Sequence, residues 1–519
     1  MRSDLLTTVL ICLPLLGALA VWLLPARSER IGALAFLIAL AEVAVWITAV
    51  QRFDFSSAEL QFEQKQLWIS DLGISYHVGL FGFSLWLVGL STVVMAAAIG
   101  YGLWAGRDRG NGYYALMLLL TGAIVCTFAA QDLILFYVAY EGMLIPLYIL
   151  IGVWGGAGRL RATFKLVAYT MTGSLLMLVA IIVFGLRSSF DLTASNPSDS
   201  IWMFLAFAGA FALKAPLFPF HGWLADAYRE SPPEVAGVLS GVVSKVALFG
   251  LIRIGLMEFP QAVHDLRPLL LALGAITLVY GSLLAFRAPD IRGVVAYSSL
   301  AQMGLISLGI FSANELSLNG AVLLMVTHGL VSTTLFLLAG GIERRTSTGQ
   351  LDRLGGMARG RPVLATLILS VGLIALAVPG SSAFAAEFLL LAGVFREGWG
   401  WALAGLVAVV LAAMYMLRLI SAVLHDDVGS SVPEEALDIR PAELGILMPL
   451  LLGLLTLSVW PAAISQRSFP CISSTVPAER QIGAACISST STTVNSMNSR
   501  YSEAGGGRSL DRSTPGVTP

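Results

Sequence analysis

The sequence predicts an all-α polytopic membrane protein of about fourteen transmembrane helices, with two inverted five-helix repeats and two broken helices. Three observations carry this reading. Only 12% of the 519 residues are charged, about half the ~25% usual in a soluble domain. Apolar residues make up 57% of the chain, and the mean hydropathy is +0.81. The 31 Lys and Arg and 32 Asp and Glu, net −1, gather in short clusters between apolar runs of roughly 18 to 25 residues, the length that crosses a bilayer core of about 30 Å. Such a chain is not a soluble enzyme, a nucleic-acid binder with a basic face, or a secreted domain built on disulfides.

Cuts at the charge and Gly/Pro clusters give the elements in order. The first span, about 5–24, is a full-length apolar run with only Arg2 and Asp4 before it and no small-residue cleavage site, so it reads as a retained helix and not a signal peptide. The second is 31–50 and the third 79–103. The fourth and fifth, 112–130 and 131–154, are nearly continuous and are divided at Gln131-Asp132. Then follow 163–186, 200–222, 232–256, 267–286, 291–311, 318–340, 362–393, 399–424 and 441–465. The Gly-rich stretch Gly152 to Gly158 follows an apolar helix, not a strand, and reads as a loop rather than a phosphate cradle. From 466 the chain is Ser/Thr/Gly-rich, repeats CISST at Cys471 and Cys486, and reads as a disordered tail. Cys12 and Cys126 stand alone in apolar runs and no C-x-x-C occurs, so neither an iron–sulfur nor a structural zinc site is expected.

Cations are unevenly shared between the two sides. Loops after odd-numbered spans hold sixteen Lys or Arg, against six in the loops after even-numbered spans and the N-terminal start. The positive-inside rule then puts both termini outside the cytoplasm. Four cations fall inside spans. Arg253 and Arg418 lie near predicted helix ends, where a long side chain can snorkel to the interface. Lys214 and Lys245 lie about halfway along theirs.

Glu141 sits midway along the fifth span and Glu387 within the twelfth. Each charge at mid-membrane costs on the order of 2.5–3.5 kcal/mol, so four of them demand partners or water. They point to an ion path, the alternative being fixed ion pairs that hold helices together. The seventh span, FALKAPLFPFHGW, has Pro216 and Pro219 just after Lys214; the twelfth, LAVPGSSAFAAEF, has Pro379-Gly380 just before Glu387. Interior prolines break helices, and paired broken helices mark a transport site. The two breaks stand five spans apart, and an odd offset reverses direction. Spans four to eight and nine to thirteen thus form the inverted repeats. The domain division is 1–111, 112–256, 257–424, 425–465 for the last helix, and 466–519 for the tail. His328, flanked by Thr327, Ser332 and Thr333 on the span between the two breaks, is a candidate relay; His221 is a weaker one, and Lys165 reads as interfacial.

Several stretches resemble one family. FYVAYEGMLIPLYILIGVWGG, RATFKLVAYTMTGSLLML, KAPLFPFHGWLADAYRESPPEVAGVLSGVVSKVALFGLIRI, VVAYSSLAQMG, THGLVSTTLFLLAGG and PGSSAFAAEF are similar, in this order from about residue 75 to 465, to the antiporter-like membrane-arm subunits of proton-pumping NADH:quinone oxidoreductase (complex I), in particular those of the subunit M or chain 4 kind. Large subunits of Mrp-type sodium/proton antiporters share the fold, and that function stays open, as does a structural scaffold. The resemblance implies fourteen helices, two inverted repeats and a row of buried protonatable residues. By motif position these are Glu141, Lys214, Lys245, His328 and Glu387. It further implies no cofactor in this chain, with NADH, FMN, iron–sulfur clusters and quinone in partner subunits. The implied partners are other membrane-arm subunits, antiporter-like ones among them, and the lipid of the cell's inner membrane, with no nucleic acid. The sequence departs from the family's pattern at Phe81 (usually Asp), Ala225 (usually Pro), Arg292-Gly293 (commonly Lys-Arg) and Gln302 (commonly His). The last removes a titratable group between the two halves.

Overall fold

The computed structural model describes residues 5–469 except 426, 434 and 435. Most of the expected tail, from 470 on, lies outside the described residues. The chain folds as a helical bundle: α1 (Leu6–Leu23), α2 (Ser28–Arg52), α3 (Gly82–Ala105), α4 (Gly110–Ala129), α5 (Leu133–Gly142), α6 (Leu144–Trp154), α7 (Arg159–Arg187), α8 (Ile201–Lys214), α9 (Leu224–Glu230), α10 (Pro233–Val238), α11 (Ser244–Gly250), α12 (Pro260–Arg287), α13 (Ile291–Ser312), α14 (Glu315–Thr346), α15 (Pro362–Ala375), α16 (Ser382–Glu397), α17 (Trp399–Leu424) and α18 (Pro441–Val459), with one further turn at Ala462–Ser465. Among the described residues, twelve helical stretches are long and apolar enough to cross a membrane. The remaining two of the fourteen expected spans are the broken ones, whose first halves, α8 and α15, are shorter.

Burial sorts the helices into a core and a jacket. The apolar middles of the α10–α11 span and α14 are wholly buried, and those of α3, α4 and α13 nearly so. In contrast α1, α2, α7, α12, α17 and α18 turn apolar faces outward, as helices bordering lipid must. Small residues permit the close packing: a side chain at Gly281 or Gly304 would strike the backbone of the facing helix of the α12–α13 pair.

Three features differ from the sequence reading. An antiparallel hairpin, β1 (Gln61–Ile69) with β2 (Ile74–Leu80), fills the stretch read as a loop and delays α3 to Gly82. Its core residue is His77, wholly buried, with Nδ1 3.0 Å from Asp191 and Nε2 2.8 Å from Glu63; Lys65 also pairs with Asp191. Burial raises the pKa of Asp191, but hydrogen bonds from His77, Lys65 and Thr193 outweigh it and hold the carboxyl well below its ordinary range. The hairpin is thereby fastened to the loop between α7 and α8. Second, Arg253 does not snorkel. It is 4% exposed and reaches Glu258 at 3.1 Å, the Gln131 amide oxygen at 3.1 Å and the Leu192 carbonyl at 3.2 Å. Third, the fifth span is interrupted at Met143, because Pro146 has no N–H for the carbonyl of Gly142.

At the opposite end Arg107 grips Glu234 through two hydrogen bonds of 2.6 and 2.8 Å, with the Tyr113 hydroxyl donating to the same carboxylate at 2.6 Å. Arg292 holds Glu343 in the same two-pronged way. The Gly-rich loop closes on Glu230, whose carboxylate accepts from Gly158 N–H and whose carbonyl accepts from Gly156 N–H, each at 2.8 Å. A phosphate has no room there. Lys165 pairs with Asp226 of α9, in keeping with its place at a helix start.

Candidate functional site

Two broken helices frame the site. α8 ends at Lys214, so the ammonium group stands where the helix dipole favours a cation. The irregular segment after it is satisfied from within the protein: Leu217 N–H bonds the Ala212 carbonyl, Phe218 N–H the Thr277 hydroxyl at 3.0 Å, and Trp223 Nε1 the Leu213 carbonyl at 2.9 Å. Non-helical backbone at membrane depth persists only under such conditions. In the twelfth span α15 stops before Ala377 and Gly380, both at positive φ, and α16 restarts with the Ser381 hydroxyl capping Phe384 N–H at 3.2 Å. Glu387 follows in the second turn.

Lys214 is buried beside Tyr140. Its Nζ donates to the Tyr140 carbonyl at 2.7 Å and lies 3.4 Å from the ring centroid. The interruption at Met143 frames this contact. Glu141, the next residue, is half-exposed and within electrostatic reach of Lys214, but the two make no ion pair. Among the described residues no carboxylate lies in ion-pair contact with Lys214 or Lys245, so the fixed ion pairs that could explain such charges are not formed.

Lys245 is fully buried between two π-helical turns, Leu239–Val243 and Leu251–Leu256. π-turns leave carbonyls out of the usual ladder and gather at functional sites. Here the Ser240 carbonyl accepts from Lys245 Nζ at 2.5 Å and from the Ser244 hydroxyl at 2.9 Å. The Ser240 hydroxyl donates to Ser299 Oγ on α13 at 2.9 Å, and Ser299 Oγ lies 3.1 Å from Nε2 of His328 on α14. Beyond His328 opens a cavity of about 20 Å³, lined by Ser298, Gln302, Thr327, His328, Ser332, Glu387 and Tyr415 among others. That is room for about one water molecule. Gln302 Oε1 and Thr327 Oγ1 are buried without partners, while Gln302 Nε2 donates to Glu387 at 3.0 Å. A line of polar groups thus runs from Lys245 through Ser240, Ser299 and His328 to Glu387, crossing α13 and α14.

The structure brings Glu141 near Lys214, joins Lys245 to His328 through hydrogen bonds, and sets His328 and Glu387 on the walls of one cavity. It gives no direct contact between Lys214 and Lys245. His221 stands apart, stacked on Phe218 and edge-on to Tyr280. Sequence reasoning missed Ser240, which carries no signal beyond being a serine in an apolar helix. It also missed Glu42, 1% exposed on α2 with Oε1 unpartnered; its place near the middle of the second span was a legible signal. The residues His/Cys/Asp/Glu form no metal-binding group among those described.

The family model described as NADH:quinone oxidoreductase/Mrp antiporter, TM matches residues 130–413, which takes in both broken helices and every residue of this line. The chain belongs to that family. Among its relatives, NADH-quinone oxidoreductase subunit M of Rickettsia prowazekii (strain Madrid E) is 32% identical over 471 residues, 88% of this chain and 96% of the relative. NADH-ubiquinone oxidoreductase chain 4 of Arabidopsis thaliana is 34% identical over 465 residues, 87% and 93% of the two chains. A chain of the respiratory complex I from Thermus thermophilus superposes with a TM-score of 0.82 at 30% identity, covering 92% of this chain and 98% of its own. A chain of the Mrp complex from Dietzia sp. DQ12-45-1b shares the fold, with a TM-score of 0.80 at 21% identity over 90% of this chain and 96% of its own. The chain is a multi-pass membrane protein of the antiporter-like kind, and its match to the subunit M and chain 4 relatives spans nearly their whole length.

Proposed function

We propose that this chain is a proton-translocating membrane subunit of an NADH:quinone oxidoreductase (complex I), driven by electron transfer in partner subunits. NADH, FMN, iron–sulfur clusters and quinone belong to those partners in this reading, and the chain supplies protonatable side chains alone. The observation that carries it is the line from Lys245 through Ser240, Ser299 and His328 to Glu387, flanked by a broken helix at either end. A buried lysine or glutamate with no fixed counter-ion gains or loses a proton as neighbouring charge changes. Glu141 and Lys214 form the input pair, Lys245 and His328 the central relay, and Glu387 the far end. Glu141 is only half-buried, which leaves it open to the charge of a neighbouring subunit.

Residues 112–256 and 257–424 are read as the two inverted repeats, with both termini outside the cytoplasm of a cell with its inner membrane as the site. The Mrp-type antiporter reading rests on fold alone, at 21% identity, whereas relatives named for the oxidoreductase match at 32–34% over most of the chain. The experiment is proton uptake coupled to NADH oxidation in inverted membranes. Glu141→Gln and Lys214→Ala should each abolish most pumping while assembly survives, and Glu141→Asp should retain part. Normal pumping with Glu141→Gln would return the pair to a structural role.

A further inference from the structure

The row of hydroxyls between Lys245 and His328 is unfinished at one end. Ser240 Oγ gives its hydrogen to Ser299 Oγ at 2.9 Å, and Ser299 Oγ in turn lies 3.1 Å from His328 Nε2. Such a row has a direction, because a hydroxyl owns one hydrogen to give and lone pairs to receive with. An oxygen that gives forward is held in that orientation by a donor behind it. Among the described residues no completed hydrogen bond reaches Ser240 Oγ from behind. Its polar neighbours on the same span, Ser244 Oγ and Lys245 Nζ, both donate to the Ser240 carbonyl instead. Ser240 is wholly buried, so bulk water does not supply the hydrogen.

The side chain that meets Ser240 from the other side is Tyr228 of α9. Its ring is wholly buried, edge-on to Trp223 with centroids 6.3 Å apart and edge-on to Phe336 of α14 at 5.5 Å. Phe336 stands three residues from Thr333, whose hydroxyl reaches the Gly237 carbonyl at 3.1 Å and whose side chain closes over Gly241. The packing that seats the π-turn around Ser240 thus also seats the phenol. Tyr228 Oη completes no hydrogen bond, yet it interacts with the Ser240 side chain. Buried phenols normally find a partner. The charged side chains beside it on α9 are already taken, Asp226 by Lys165 and Arg229 by Asp290.

We propose that Tyr228 is the positioning residue at the head of this row: its phenol gives a hydrogen bond to Ser240 Oγ, which turns the Ser240 hydrogen toward Ser299 and the Ser299 hydrogen toward His328. The inference rests on the proton-translocating reading of the line. The phenol keeps its own proton throughout and sets only the direction in which the two serines point. It also serves the return, because a hydroxyl both gives and accepts. When the row turns round after a proton has passed, the Ser240 hydrogen finds an acceptor in the same phenol oxygen. A phenylalanine at 228 fills the space and does neither.

The test is the initial rate of proton uptake, per assembled complex, in inverted vesicles oxidising NADH, for Tyr228→Phe, Ser240→Ala and the double variant. Tyr228→Phe keeps both ring contacts and removes one hydroxyl, so the complex should assemble as in the wild type. Its pumping is expected to fall about two- to tenfold, the worth of one hydrogen bond between uncharged groups. The double variant should pump no more slowly than Ser240→Ala alone, since Tyr228 acts through Ser240. Tyr228→3-fluorotyrosine, which keeps the hydroxyl in nearly the same volume, should pump close to the wild-type rate, and a purely structural role for the ring does not separate it from Phe. Normal pumping by Tyr228→Phe beside slow pumping by Ser240→Ala overturns the role of Tyr228 and leaves the line standing. Normal pumping by Ser240→Ala overturns both this proposal and the route through Ser240. Losses that multiply in the double variant also overturn the proposal, because the phenol then acts elsewhere.

Discussion

Ser299→Ala removes one hydroxyl from the middle of the line. Ser299 is 1% exposed, and among the described residues its Oγ alone joins Ser240 Oγ, 2.9 Å away, to His328 Nε2, 3.1 Å away. Without it those two atoms face each other across up to about 6 Å, twice the reach of a hydrogen bond. The space vacated is smaller than a water molecule, so nothing refills it. Each polar group left unpaired in the interior costs about 1–3 kcal/mol. If one such cost falls on the proton-transfer step, its rate drops by about 5- to 150-fold. The assay is proton uptake by inverted vesicles per NADH oxidised, with initial rates under coupled conditions. Ser299→Thr keeps the hydroxyl and should retain most activity. Ser307→Ala, on the same helix but bonded only to the Met303 carbonyl within it, should pump normally. Wild-type pumping by Ser299→Ala would show that protons do not pass through the Ser240–Ser299–His328 segment.

Glu258→Gln unpairs Arg253 in a nearly fully buried setting, which costs about 3–5 kcal/mol for a buried pair; a large fall in the complex's thermal midpoint checks this, and an unchanged midpoint refutes it. Asp191 has a depressed pKa, so its contribution to hairpin docking is present above the ordinary value of 3.8 and is lost only as pH falls through the lower folded value. Hydrogen exchange of residues 61–80 should therefore stay slow at pH 4.5, and Asp191→Asn should speed it at that pH and above, but not once the wild-type carboxyl is itself protonated. Glu42→Met, which removes a buried acid with no partner to strand, should leave assembly at least as stable as in the wild type. A reporter inserted near Arg353 should behave as cytoplasmic and one near Glu63 as external; the reverse would invert the orientation drawn from the cation bias.

Much of the architecture is legible because membrane helices announce themselves by length and hydropathy, and because Pro216, Pro219 and Pro379 cannot hide inside a helix. Charged residues at mid-membrane are equally visible, which is how Lys214, Lys245, Glu141 and Glu387 were found. What escaped follows from physics that one sequence does not carry. β1 shows no apolar alternation, its exposed Leu67, Trp68 and Ile69 being consecutive, and the hairpin is held by His77 meeting Asp191 over a hundred residues away. The π-turns around Lys245 are set by packing: a Cβ at Gly237 or Gly241 would press on Thr333 of α14. Glu141 and Lys214 lie within electrostatic reach of each other, yet Lys214 turns to the Tyr140 carbonyl that the Met143 interruption frames, a contact that no residue pattern announces. Gln302 read as a lost titratable group; in place it is the donor that holds Glu387 and one wall of the cavity beside His328.

The most direct test of proton translocation through this chain is the proton-to-electron ratio of the reconstituted complex carrying Lys245→Met. The residue is wholly buried, close in volume to its replacement, and among the described residues hydrogen-bonded only to Ser240 and Ser244. The account predicts that the complex assembles, that quinone reduction persists when the membrane is made leaky, and that protons moved per NADH fall well below the wild-type ratio. An unchanged ratio in sealed vesicles would contradict it, because no path through Lys245 would then be needed.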